Sequence, residues 1–127
     1  MTLKMYQIID FPAFFEKVKS QKLPFKVSYK LTILAQEIEK HINFYQEKFR
    51  ELIFQYGEKD AEGNLVPTED GQGVKLVAET MQEAYAQLGE LRGLDVELPD
   101  CKFDIDAFEN VELTPIEMNI ILPFIEM

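Results

Sequence analysis

The chain has 127 residues and a formal net charge of −10, with 46% hydrophobic residues and as many as ten Phe and five Tyr. This length fits a single domain, and the aromatic content excludes a chain that never packs a core. Apolar runs of only a few residues exclude a membrane span, and the excess of acidic residues disfavours binding to nucleic acid or to anionic membranes. The first six residues lack the apolar core of a secretory signal, and one cysteine cannot form an internal disulfide, so we expect an intracellular setting.

Charge is distributed unevenly along the chain. Residues 1–57 carry nine Lys or Arg against six Asp or Glu, a net of +3, whereas residues 58–127 carry four against seventeen, a net of −13. This asymmetry fits a role in solubility. It also fits a C-terminal half that meets a basic partner or mimics nucleic acid.

The first ten residues are ambiguous between strand and coil. A short helix is predicted from about Pro12 to Gln21, since Asp10 can cap it and proline is favoured in the first turn. Pro24 then ends the helical pattern.

A long helix is the strongest signal in the sequence. Apolar residues recur from Leu31 to Tyr56 in steps of 4, 3, 4, 3, 4, 3 and 4, and neither Gly nor Pro interrupts the stretch from Phe25 to Tyr56. This heptad period predicts a helix of about 30 residues, roughly 45 Å long, that ends at Gly57. The seam consists of Leu31, Ala35, Ile38, Ile42, Tyr45, Phe49, Leu52 and Tyr56.

Further apolar residues lie outside that seam. They are Ile33, Leu34, Phe44, Ile53 and Phe54. Such a wide apolar face is typical of the central helix of a bundle. Where shorter elements leave part of it uncovered, it predicts a homodimer, because a two-fold interface is the commonest solution.

Residues 57–75 predict a polar, Gly-rich loop, with a hairpin that carries Leu65, Val66 and Val74 on its arms. A second helix follows from about Leu76 to Arg92, and Gly93 closes it. Because this helix shares the seam period, we expect Val77, Met81, Ala84, Leu88 and Leu91 to pack antiparallel against the seam of the long helix.

Two short alternating stretches, residues 96–98 and 103–105, predict a small hairpin, to which residues 111–113 add a third strand. Thr114, Pro115 and Glu117 form the signature of a capping box, which predicts a helix from there to about Leu122, where Pro123 breaks it. Phe124 and Ile125 follow, and they either dock on the core or meet a partner.

Neither the histidine nor the cysteine of the chain is accompanied by the further polar groups that catalysis or metal binding needs. His41 is the only histidine, and Glu37 lies four residues before it, which indicates a surface pair instead of a metal or acid–base site. Cys101 has no base nearby, and Asp100, Asp104 and Asp106 are expected to raise its pKa. We therefore predict neither catalytic nor metal-binding residues, and no cofactor.

The segment from Asp60 to Asn64 has a faint likeness to a calcium loop. The sixth position is Leu65 where an EF-hand has Gly, and the twelfth is Gly71 where it has Glu, so a solvated turn is the preferred interpretation. The chain has neither a Walker-type phosphate loop nor a dinucleotide fingerprint.

One basic stretch, with aromatic residues among its lysines, has two interpretations. Its lysines are a solvated face that pairs with the acidic C-terminal half, or they capture an anionic ligand. The stretch contains Lys17, Lys19, Lys22, Lys26 and Lys30, with Phe25 and Tyr29 between them.

Several segments together resemble an uncharacterised family of small acidic proteins encoded by phages and prophages of Gram-positive bacteria. They are residues 23–31, 44–50, 56–60, Gly63-Asn64, 96–99, 113–117 and 123–126. The resemblance covers residues 5–126. It implies a phage setting, in the cytoplasm of an infected cell or in a virion, and it implies no activity, cofactor or catalytic residue.

The sequence therefore predicts a single, mainly α domain: a long central helix with an antiparallel partner helix, short terminal helices and a small β element. The predicted function is non-enzymatic binding or assembly through a helical surface, with the chain itself, a virion component or a host protein as partner. The alternatives are an anti-defence protein that sequesters a host factor or an anionic signal, and an enzyme of unrecognised type. The residues expected to meet a partner are Lys22, Lys26, Tyr29, Lys30, Phe44, Phe54, Phe124 and Ile125.

Overall fold

The computed structural model describes residues 1–126 and is mainly helical. Its elements in chain order are β1 (Thr2–Lys4), α1 (Met5–Ile8), α2 (Phe11–Val18), α3 (Phe25–Tyr56), α4 (Met81–Arg92), β2 (Asp95–Glu97), β3 (Phe103–Asp104), α5 (Pro115–Ile121) and β4 (Ile125–Glu126). Short 3₁₀ turns precede α4, at Ala78–Thr80, and follow α5, at Leu122–Phe124. No helix within residues 1–126 is long and apolar enough to cross a membrane.

The chain divides into two compact units, whereas the sequence led us to expect one domain. The first unit contains Met1–Ile42 and Asp95–Met127, and the second contains Asn43–Leu94. Helix α3 contributes residues to both.

Helix α3 begins directly after Pro24, six residues before the predicted seam starts. The Ser28 amide donates to the Pro24 carbonyl at 3.0 Å, which forms the first helical turn. Within the first unit, Leu31, Leu34, Ile38 and Ile42 are buried at spacings of three and four residues, the spacing of one helical face. The long helix is thus confirmed, with Leu34 in the core where the seam placed Ala35.

Aromatic side chains form a continuous chain of contacts in the core of the first unit. Phe14 lies 5.8 Å from Phe11 and 5.9 Å from Phe108, measured between ring centroids, and Phe103 lies 5.4 Å from Phe108. Phe124 contacts Phe11 edge-on at 6.1 Å. These separations are in the range that aromatic pairs favour, so α2, β3 and the C-terminal turn share one core.

The predicted hairpin of the tail is wrong. Strand β2 pairs antiparallel with β1, in the register Leu3↔Val96, and β3 pairs in parallel with β4, in the register Phe103↔Ile125. Residues 111–113 do not form a strand. The N-terminal segment therefore supplies the partner strand of β2, and the C-terminal segment supplies the partner strand of β3.

Helix α5 begins as the capping-box pattern predicted. The Thr114 hydroxyl accepts from the Glu117 amide at 3.2 Å, and a Glu117 carboxylate oxygen accepts from the Thr114 amide at 3.0 Å. Lys17 of α2 donates to the same carboxylate oxygen at 2.7 Å. One glutamate thus caps α5 and joins it to α2.

In the second unit, α4 runs antiparallel to the part of α3 that belongs to this unit. Near the end of α3, the Tyr56 hydroxyl donates to Glu83, in the first turn of α4, at 3.1 Å. Eleven residues earlier, the Tyr45 hydroxyl accepts from Nε of Arg92, the last residue of α4, at 3.4 Å. The antiparallel partner helix is confirmed for this unit.

The extent of burial in this helix pair differs from the expectation. Tyr45, Ala84 and Leu91 are buried, whereas Phe49, Leu52 and Leu88 are half-buried. Leu31 and Ile38 belong to the first unit, whose buried residues come from residues 1–42 and 95–126. A helix of 12 residues is too short to cover one of 32, since each residue adds about 1.5 Å.

The polar loop between α3 and α4 forms three irregular antiparallel stretches with two tight turns. Bridges join Lys59 to Leu65 and Pro67 to Val74, which agrees with the predicted hairpin arms. The two turns contain Gly63 and Gly71, whose φ angles are +84° and +71°, a conformation that favours glycine.

Candidate functional site

His41 links two elements of the first unit instead of pairing with Glu37. Its Nε2 lies 3.2 Å from the carbonyl oxygen of Glu97 in β2. Glu37 accepts from Lys40 at 3.0 Å, one turn further along α3. The surface pair predicted for His41 and Glu37 is therefore replaced by two other contacts.

Cys101 is a free, half-buried thiol. Burial raises its pKa, and the positive charge of Lys30 opposes that rise only in part. The predicted direction is correct, but the cause is desolvation, not the neighbouring carboxylates. A thiol with a raised pKa is a poor nucleophile near neutral pH.

The loop at Asp60 uses its carboxylate to close its own turn. One oxygen of Asp60 accepts from the amides of Glu62 and Asn64, at 2.9 and 3.0 Å. This is the hydrogen-bonded turn that aspartate commonly forms, in line with the preferred interpretation. Among residues 1–126, no group of three or more His, Cys, Asp and Glu side chains is arranged to hold a metal ion.

The lysines of the basic stretch do not converge on one site. Lys17 pairs with Glu117 and Lys19 with Glu16, and Lys30 donates to the carbonyl of Lys102 at 3.1 Å. Lys22 and Lys26 are exposed. The pairing with the acidic C-terminal half holds for Lys17, while the others are distributed along different elements.

Of the eight residues expected to meet a partner, two are in the core. Phe124 is 0% exposed and Ile125 is buried, because the C-terminal segment pairs with β3 and contacts Phe11. Neither can present its side chain to a partner. The alternative, that the apolar end docks on the core, is what the structure shows.

A row of exposed apolar residues lies on α3 in the first unit. Phe25 is 85% exposed, Tyr29 63% and Ile33 40%, and they follow one another at intervals of four residues. Tyr29, Lys30 and Ile33 border a groove of about 230 Å³ against residues 99–102. Apolar side chains at this spacing form a stripe on one helical face.

In the second unit, two exposed phenylalanines carry lysines over their rings. The Lys48 ammonium lies 5.8 Å from the ring centroid of Phe44, and that of Lys59 lies 4.6 Å from the ring of Phe54. Phe44 is 44% exposed and borders a groove of about 330 Å³ between α3 and α4. A cation over the ring shields each phenylalanine in part from solvent.

Within the first unit, a second heptad stripe runs along α3 beside the buried one. It steps by 4, 3, 4 and 3, and four of its residues are exposed while Glu37 is half-exposed. We call this set the α3 stripe: Lys26, Lys30, Ile33, Glu37 and Lys40. Residues at this spacing share one face of a helix.

The sequence-based interpretation named two residues of the stripe, Lys26 and Lys30, and missed its period. The signal was present, since the spacing is the same as that of the buried seam. It was overlooked because only apolar residues were traced along the helix, and four of these five residues are charged.

Comparison of the chain with protein-family models, with curated proteins and with solved structures finds no significant match.

Proposed function

We propose that this protein is a non-enzymatic binding or assembly protein that acts through the exposed face of α3. The observation that carries the proposal is the α3 stripe of the first unit, in which Ile33 remains 40% exposed among charged residues, one turn after Tyr29, which is 63% exposed. Large apolar side chains ringed by charge are typical of protein interfaces, in which a small apolar centre is surrounded by a polar rim.

Two further features favour a protein partner over an anionic small molecule. Two lysines of the stripe serve different contacts, since Lys40 pairs with Glu37 and Lys30 donates to a backbone carbonyl. The stripe also contains a glutamate, Glu37, among its lysines, whereas an anionic small molecule favours convergent cations. A protein surface of matching charge pattern fits this arrangement better.

The phage setting is part of the proposal and rests on the resemblance described above. In that setting the partner is the chain itself, a virion component or a host protein, encountered in the infected cell or in the virion.

The experiment is cross-linking of the full-length protein to its partners with a lysine-reactive reagent, followed by mass spectrometry of the linked peptides. We expect links from Lys26 and Lys40, and we expect the Ile33→Ser variant to lose them while retaining the native melting temperature. The matched control is Phe25→Ser, which removes an exposed aromatic residue of α3 outside the stripe. Links that involve only lysines away from α3, or links unaffected by Ile33→Ser, would count against the proposal.

A further inference from the structure

A groove runs along the side of α3 within the first unit. The groove of about 230 Å³ described above shares Lys30 and Lys102 with a second groove of about 490 Å³. Residues 24–34 form one wall of both, and residues 99–110, with Glu126 beside them, form the other wall. All of these residues belong to the first unit. We call the two grooves together the α3 groove.

The wider part of the α3 groove has walls of opposite charge. The α3 wall contributes Lys26 and Lys30, and the other wall contributes Asp104, Asp106 and Glu109. All five side chains are exposed, and none of the ion pairs within residues 1–126 joins the two walls. The charges of both walls are therefore available to a partner.

The narrower part of the α3 groove is more apolar. Tyr29 and Ile33 of α3 lie on one side, and Pro99 and Cys101 lie on the other. Tyr29 and Ile33 remain exposed on this side of α3. The α3 groove thus has a charged end and an apolar end.

We propose that the α3 groove binds the α3 groove of a second copy of this chain, about a two-fold axis that runs along the groove. The proposal rests on the binding function proposed above and names its partner. Rotation about this axis keeps each residue at its own level along the groove and exchanges the two walls. The lysine wall of each copy therefore faces the acidic wall of the other, at two places related by the axis.

The apolar end is complementary in the same arrangement. Tyr29 and Ile33 of one copy face Pro99 and Cys101 of the other, because the apolar end of one copy lies at the level of the apolar end of its partner. Apolar contacts beside charged pairs are the usual composition of a protein interface.

The charges also select the direction of the axis. An axis across the groove would bring the α3 walls of the two copies together. Lys26 and Lys30 would then face either the same lysines or the apolar end of the second copy. Like charges at an interface select against such an orientation.

The contacts already present in one copy are compatible with the pairing. The Lys30 ammonium donates to the Lys102 carbonyl and has three protons, so it can also donate to a carboxylate of the second copy. Lys102 lies on the acidic wall, but its own ammonium donates to the Pro123 carbonyl at 2.8 Å. Because exposed ion pairs contribute little free energy each, the dimer should be weak.

Charge reversal tests the pairing, with sedimentation velocity over a concentration series as the measurement. At about 0.15 M salt, the repulsion between two chains of net charge −10 is screened beyond about 8 Å, whereas charges in contact still interact. The Lys26→Glu/Lys30→Glu variant and the Asp106→Lys/Glu109→Lys variant should each have a dissociation constant at least about tenfold higher than the native chain.

Two combinations of these variants should restore binding. An equimolar mixture of the two double variants should form a heterodimer, because each wall again faces a wall of opposite charge. The quadruple variant, which carries all four substitutions, should regain self-association for the same reason.

The matched control is Arg50→Glu/Lys75→Glu, which changes the net charge as Lys26→Glu/Lys30→Glu does but alters exposed residues of the second unit. It should dimerise like the native chain. Each variant is first compared with the native chain by circular dichroism and thermal unfolding. If the lysine reversal unfolds the chain, Lys26→Gln/Lys30→Gln takes its place and should also weaken the dimer.

Three results would overturn the inference. Continued dimerisation of both double variants would place the contact elsewhere, and failure of the folded quadruple variant to self-associate would exclude the exchange of walls. A native chain that stays monomeric near 14.8 kDa at every concentration would also overturn it. If cross-links from Lys26 and Lys40 to a different protein persisted in that case, the proposed function would stand while its partner was another protein.

Discussion

The ammonium of Lys17 donates to Oε1 of Glu117 at 2.7 Å, across one hundred residues of sequence. The same oxygen accepts from the Thr114 amide, so it joins α2 to the start of α5. The Lys17 hydrogen bond is the main cause, and the Thr114 amide the next, of a Glu117 pKa lowered from 4.5 to about 2.

This lowered pKa predicts a specific acid sensitivity. Because the folded state favours the ionised carboxylate, Glu117 stabilises the fold above about pH 4.5, and that contribution is lost as the pH falls from 4.5 to about 2. The free energy of unfolding of Glu117→Gln should therefore be lower than that of the native chain at pH 7, and the two should converge near pH 2. Equal stabilities at pH 7 would show that the contact contributes nothing.

Gly57 is required at the end of α3 for space. A Cβ at this position would clash with the backbone oxygen of Ile53 and would lie 2.7 Å from a methyl of Leu65. Gly57→Ala should lower the free energy of unfolding by about 1–3 kcal/mol, as overpacking does. Gly73→Ala is the matched control, since its Cβ would meet nothing closer than 3.9 Å, and it should leave stability unchanged or raise it by up to about 1 kcal/mol. Denaturant unfolding of both variants decides the matter, and equal effects would contradict the steric account.

The C-terminal aromatic residue contributes to the core. Phe124→Ala should cost about 3–5 kcal/mol of unfolding free energy, because its ring is fully buried against Phe11. Phe25→Ala, at a residue that is 85% exposed, should change it by less than about 0.5 kcal/mol. Thermal or urea unfolding would measure both, and a tolerated Phe124→Ala would mean that the C-terminal segment is not part of the core.

Local patterns predicted much of this fold. The heptad period predicted α3, the capping box predicted the start of α5, and Gly57 and Gly93 predicted the ends of α3 and α4. These predictions succeeded because each of these features depends on residues that are close in sequence. Strand pairing failed, since β1 pairs with β2 across more than ninety residues and nothing in either short stretch encodes its partner. For the same reason, the burial of Phe124 and Ile125 was left open between two outcomes.

The candidate surface was predictable only in part. The exposed residues Tyr29, Phe44 and Phe54 lie on α3 as the sequence indicated. The α3 stripe was missed because four of its five residues are charged and only apolar residues were traced along the helix.

Cys101 should react slowly with alkylating reagents. Because burial raises its pKa, only a small fraction is ionised at neutral pH, and the half-buried sulfur is hard to reach. Alkylation by iodoacetamide should be slower in the native chain than in the urea-unfolded chain at the same pH. Equal rates would contradict this account of the thiol.

Lysine cross-linking of the full-length protein tests the binding role of α3 most directly. We predict links from Lys26 and Lys40 that the Ile33→Ser variant loses while it retains the native melting temperature. Links that involve only lysines away from α3, or links that Ile33→Ser leaves unchanged, would contradict the account.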